Sequence, residues 1–110
     1  MREDERDMSY QEIIMQIIIS GGNARSQAME AIHFAKAGQI KEAREAIIKA
    51  DEELSQAHSV QTQLIQEEAA GNNKEVTLLM VHAQDHLMNA ITVKDLAQEF
   101  IDMYEKLFNK

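Results

Sequence analysis

A chain of 110 residues has room for one domain and one modest core. Its formal net charge of −8 excludes nucleic acid as a partner, which requires a basic face, and disfavours anionic membrane surfaces. The absence of cysteine excludes disulfides and thiol chemistry, while no proline and four glycines leave little to interrupt a helix.

Residues 1–8 form an acidic, charged stretch that is expected to be a flexible tail, followed by a single helical domain over 9–110. The stretch is no signal peptide. The longest apolar run, 13–19, contains Gln16 and is far too short to span a bilayer. Together with the missing disulfides, this fits a cytoplasmic protein.

The first helix is predicted over 9–37. Ser9 followed by Glu12 matches a capping box. Gly21-Gly22 lies inside it, at a cost of about 1 kcal/mol for each glycine relative to alanine. The pair marks either a kink or the close approach of a neighbouring helix. A continuous or mildly bent helix is expected, because apolar periodicity resumes at Ala24, Ala28, Ala31 and Ala35. Gly38 reads as its C-terminal stop.

The second helix is predicted over 40–70. Ile40, Ala43, Ile47, Ala50, Leu54, Ala57 and Gln61 recur at helical spacing, opposite a charged face that includes Lys41, Glu45 and Glu52. Gly71-Asn72-Asn73 supplies the next break. The third helix is predicted over 74–108. Three helices of about 45 Å joined by short connections favour an antiparallel, up-down-up three-helix bundle, an all-α fold.

The third helix carries an excess of apolar surface. One stripe holds Leu79, Ala83, Ala90, Val93, Ala97, Phe100 and Tyr104; another holds Leu78, Val81, Asp85, Met88, Thr92 and Leu96. A helix apolar on most sides is buried on most sides, which predicts self-association. Asp85 then falls inside an oligomer interface. A buried carboxylate there must be protonated, paired or bound to a metal, and symmetry copies of it could meet on an axis.

The chemistry gathers in Val81-His82-Ala83-Gln84-Asp85-His86-Leu87-Met88. On a helix, His82 and His86 are about 40° apart and His82 and Asp85 about 60° apart. Histidines at i and i+4 are a familiar metal-ligand pair, and Asp85 would complete a His-His-carboxylate set. Asp85 is about 100° from His86, however, so convergence on one ion is strained. A helix-face histidine is also commonly a packing residue, and His33 and His58 are read as surface or packing residues rather than ligands. The serines lack a nucleophile elbow, and no phosphate-binding glycine loop is present. From the residues alone, a metal-binding bundle using His82, His86 and Asp85, a nucleophilic-histidine protein and a purely structural helical adaptor all remain open.

The His82-Ala83-Gln84-Asp85-His86-Leu87-Met88 segment closely resembles the active-site segment of the lactose/cellobiose-type enzyme IIA of the bacterial phosphoenolpyruvate-dependent sugar phosphotransferase system. Gly22-Asn23-Ala24-Arg25-Ser26, Ala35-Lys36-Ala37-Gly38, Ala57-His58 with Gln61-Thr62, and Glu68-Ala69 with Gly71 are similar to that family's pattern as well. The resemblance implies a homotrimer of three-helix bundles, a nine-helix assembly. It implies that His82 is the phosphorylated histidine and that Asp85 gathers on the trimer axis around a divalent metal, magnesium in the usual case. His86 is expected to support the site. The implied partners are the carrier protein HPr as donor, a cysteine of the cognate IIB component as acceptor, and indirectly the membrane IIC component, for uptake of cellobiose, lactose or a related β-glucoside.

Overall fold

The computed structural model describes residues 3–109, with side chains from residue 9 onward. Three helices follow one another: α1 Glu3–Lys36, α2 Ile40–Ala69 and α3 Leu78–Phe108. No strand occurs among the described residues. The helices pack as an elongated bundle of 61 × 22 × 20 Å.

Both glycine stops work through the same backbone device. Gly38 takes φ +80° and Gly71 φ +92°, the left-handed region that side chains disfavour. At the end of α1, Gly38 N–H donates to Ala35 O at 3.0 Å and Gln39 N–H to Phe34 O at 2.9 Å. At the end of α2, Gly71 N–H donates to Glu68 O at 3.0 Å and Asn72 N–H to Glu67 O at 2.8 Å. These are Schellman motifs, which satisfy the last carbonyls of each helix.

Two helix starts differ from expectation. α1 already runs from Glu3, so Ser9 lies within the helix and the Ser9/Glu12 pair does not cap it. The flexibility expected of residues 1–8 lies outside the residues whose side chains are described. α3 starts at Leu78 rather than at 74, because Thr77 is its N-cap. Thr77 is extended, at φ −101° and ψ 164°, and its Oγ1 accepts from Met80 N–H at 3.1 Å. The stretch 72–77 is therefore a non-helical connection. Tyr10 of α1 braces it by donating its hydroxyl to Glu75 O at 3.0 Å, and the Lys74 ammonium lies 5.9 Å from the Tyr10 ring centroid.

The core is built largely from alanine. Ala24, Ala28, Ala31 and Ala35 of α1 face Ala43, Ala46, Ala50 and Ala57 of α2 and Ala83, Ala90 and Ala97 of α3, all buried. The largest fully buried side chains are Ile14, Ile17, Leu87 and Ile101. Large apolar residues stand outside instead. On α3, Leu78 is 86% exposed, Val81 52%, Met88 50% and Leu96 53%, with Met103 and Leu107 continuing the line. Small side chains let the three helices approach closely, but each buried alanine contributes less transfer free energy than a leucine or isoleucine. Polar ties add to the packing of α2 against α3. Arg44 bonds Asp102 at 2.9 Å and Glu105 at 3.1 Å, and Lys94 bonds Asp51 at 3.0 Å.

Candidate functional site

The first three turns of α3 present the site. Thr77 fixes where α3 begins, so His82 falls in the second turn and projects back toward the helix N-terminus, as helical side chains do. His82 is exposed and His86, one turn on, is half-buried. Their rings stack with centroids 5.9 Å apart and planes 18° from parallel.

His86 fits into the α1 surface at Gly21-Gly22. A β-carbon on Gly21 would lie 3.2 Å from His86 Cδ2, and one on Gly22 would lie 3.3 Å from His86 Nε2. The helix passes through the glycine pair without a break. Of the two readings of the pair, close approach by a neighbouring helix is the one realised. Nothing in the residue pattern around Gly21-Gly22 marks His86 as the side chain that approaches.

Asp85 points elsewhere. It lines an apolar groove of about 580 Å³ on the α2 side of α3, with Leu64, Ile65, Val76, Val81 and Met88. Its carboxylate is exposed and accepts from Asn89 Nδ2 at 3.3 Å. Beside it, the buried amide of Gln61 bonds Gln84 and approaches Met88 Sδ at 3.7 Å. At the groove's far wall, burial and then the charges of Glu68 and Glu75 raise the pKa of the Tyr10 hydroxyl. The two histidines and Asp85 thus occupy different faces. Among the described residues no three His, Cys, Asp or Glu side chains are grouped to hold an ion within one chain. Within one chain, then, His82, His86 and Asp85 are not grouped around a common point, in keeping with the strained convergence that helical spacing implies. His33 and His58 are exposed on α1 and α2 and are not part of the stacked pair.

Residues 12–105 match the family model described as the PTS system lactose/cellobiose-specific IIA subunit. The chain belongs to this family. It is 63% identical over 97 residues to the lichenan-specific phosphotransferase enzyme IIA component of Bacillus subtilis (strain 168), covering 88% of each chain. It superposes on the crystal structure of the PTS cellobiose-specific enzyme IIA from Bacillus anthracis with a TM-score of 0.86 and 58% identity, covering 90% of this chain and 91% of that one. A third match is the IIA(chitobiose)–HPr complex of the N,N'-diacetylchitobiose branch of the Escherichia coli phosphotransferase system. Here the TM-score is 0.76 at 39% identity, over 88% of this chain and 94% of that one. As an IIA component, the chain is a phosphotransfer protein of the sugar phosphotransferase system. No described helix of it is long and apolar enough to cross a membrane.

Proposed function

We propose that this IIA chain is a cytoplasmic phosphocarrier that accepts phosphate on His82 from phospho-HPr and passes it to a cysteine of its cognate IIB component. The observation that carries the reading is the exposed His82 ring, stacked on His86 at the start of α3, in a chain that matches the IIA family over residues 12–105. The solved relative in complex with HPr supports the choice of donor. The lichenan- and cellobiose-specific relatives support a β-linked glucose oligosaccharide as the sugar served, with specificity residing in the membrane IIC component.

The chemistry suits imidazole. A neutral ring attacks phosphorus with the lone pair of one nitrogen while the other keeps its proton. The nitrogen–phosphorus bond to the HPr imidazole breaks as the new one forms, and the donor ring leaves neutral, so no net proton transfer is needed. In the second step a cysteine thiolate of IIB takes the phosphoryl group and His82 is released as neutral imidazole. The transferred group is stabilised by donors placed around its oxygens. The amides of Leu78 and Leu79 in the first turn of α3, at the positive end of the helix, and the His86 ring are candidates.

We further propose that the working unit is a homotrimer centred on α3. Leu78, Val81, Asp85, Met88, Thr92, Leu96, Met103 and Leu107 recur mainly at three- and four-residue steps and are exposed in the single chain. Packing this seam against two copies would bury the large apolar residues that the alanine core leaves outside. It would also bring three Asp85 carboxylates together. Carboxylate oxygens are hard ligands suited to magnesium, and one per chain is too few. The donor set therefore fits a divalent ion only in the assembly, where the ion would offset the gathered negative charge.

Incubation with phosphoenolpyruvate, enzyme I and HPr tests the carrier reading by mass spectrometry. One added phosphoryl group is expected on the wild type and none on His82→Ala. Unchanged phosphorylation of the variant would overturn the assignment of His82.

A further inference from the structure

We infer that Gly21 and Gly22 are positioning residues: they form a seat on α1 that holds the His86 ring alongside His82. The inference rests on the phosphocarrier reading, because it concerns the same site.

Two adjacent glycines inside a helix need a reason, since each costs about 1 kcal/mol relative to alanine. Backbone freedom is not the reason. Gly38 and Gly71 use the positive φ that glycine allows, whereas Gly21 and Gly22 do not. Neither residue marks a break, because α1 runs unbroken from Glu3 to Lys36. What remains is space. β-Carbons there would lie 3.2 Å from Cδ2 and 3.3 Å from Nε2 of His86. Both distances are inside the 3.5–4.0 Å at which non-bonded atoms sit comfortably. The two obstructions fall on one edge of one ring.

The rest of the α1 stripe sharpens the point. Where α1 meets other parts of the bundle, alanine is small enough: Ala24, Ala28, Ala31 and Ala35 are all buried. Glycine occurs on α1 only where the imidazole lies. The ring is thus confined by the seat on one edge and stacks on His82 at 5.9 Å. Phosphoryl transfer depends on in-line placement of the nucleophile, and small displacements of the reacting groups are costly. A rigid neighbour limits the orientations open to the His82 ring.

Gly22→Ala is the clean probe, because among the described residues His86 is the one neighbour its β-carbon would crowd. Gly21→Ala would also bring a β-carbon within 3.6 Å of the Leu87 Cα and so press on the α3 backbone. Alanine favours the helix, so Gly22→Ala is expected to fold with an unchanged or raised Tm. Its rate constant for accepting phosphate from phospho-HPr is expected to fall on the order of fivefold with KM unchanged. The ring NMR signals of His82 and His86 are expected to move. In a His86→Ala background the same substitution is expected to have no effect on rate. An unchanged rate and unmoved ring signals would overturn the inference, and so would an equal fall in the His86→Ala background. If the wild type accepts no phosphate, it is the carrier reading that fails. The ring signals then decide the seat alone: movement on Gly22→Ala upholds it and stillness overturns it.

Discussion

His82 and His86 stack with their ring centroids 5.9 Å apart and their planes within 18° of parallel, one ring exposed and the other half-buried. The exposed ring is reachable by a partner protein and the half-buried one is anchored. This asymmetry separates their roles. His86→Ala is expected to retain phosphate acceptance at His82 but to slow it by about tenfold or more, through loss of orientation and of a donor near the transferred oxygens. Rapid-quench measurement of transfer from phospho-HPr checks this. An unchanged rate would reduce His86 to a packing residue, and complete loss of phosphate would put it on a par with the nucleophile.

Asp85 stands on a different face, amid exposed Val81 and Met88. In the proposed trimer it is the one charge within an apolar seam. Asp85→Leu is expected to keep or strengthen the trimer, since replacing a buried charged group by packing is commonly neutral or stabilising by about 1–4 kcal/mol. The same substitution is expected to abolish bound divalent metal. Sedimentation together with metal analysis reads both outcomes, and a monomeric product would contradict the proposed arrangement.

Lys94 links α3 to α2 through Asp51 at 3.0 Å and bonds its neighbour Asp95 at 2.9 Å. The Asp95 hydrogen bond, with further help from Asp51, raises the Lys94 pKa above the usual 10.5 against the opposing effect of burial. A folded-state value above the unfolded one means stability that is fully present below about pH 10.5 and is lost as pH rises through the folded value. Lys94→Met keeps the apolar stem and removes the charge. Because both carboxylates are largely open to solvent, the loss is expected to be about 0.5–1 kcal/mol. Thermal unfolding of both proteins should show a constant gap between pH 6 and 9 that narrows in stronger alkali. A gap that widens there would reverse the sign of the argument.

Legibility in the sequence followed the range of the interactions. Gly38 and Gly71 were readable as stops because a Schellman motif is local, with glycine at the one position that needs positive φ. The stripes of α1 and α2 were readable for the same reason, and Ala24 to Ala35 and Ala43 to Ala57 lie in the core as expected. Helix starts were less legible. Ser9 and Glu12 have the right types at the right spacing, yet the chain upstream is itself helical. Thr77 caps α3 without an acidic partner, since Met80 occupies the position where a capping box places one. The contact between Gly21 and His86 could not be seen at all. It joins residues 65 apart, and a glycine pair carries no record of which side chain needs the room.

Thr77 brings stability and site geometry together, and so offers a further test. Its hydroxyl accepts the Met80 amide at 3.1 Å and fixes where α3 begins, five residues before His82. Thr77→Ala removes the cap and is expected to cost about 1 kcal/mol, lowering Tm by several degrees. It is also expected to slow phosphate acceptance, because the first turn of α3 then frays beside the nucleophile. Thr77→Ser is expected to restore both, as serine caps as well as threonine. Thr77→Asp separates the two effects. An aspartate at this position caps the helix and favours its positive end, so Tm should hold. Its charge, however, lies near the turn toward which the His82 ring projects and opposes an incoming phosphate. Circular dichroism melts and transfer rates on the three variants therefore test whether the start of α3 serves as an anion-attracting end as well as a scaffold. A Thr77→Asp protein with wild-type rates at low salt would limit Thr77 to the structural role.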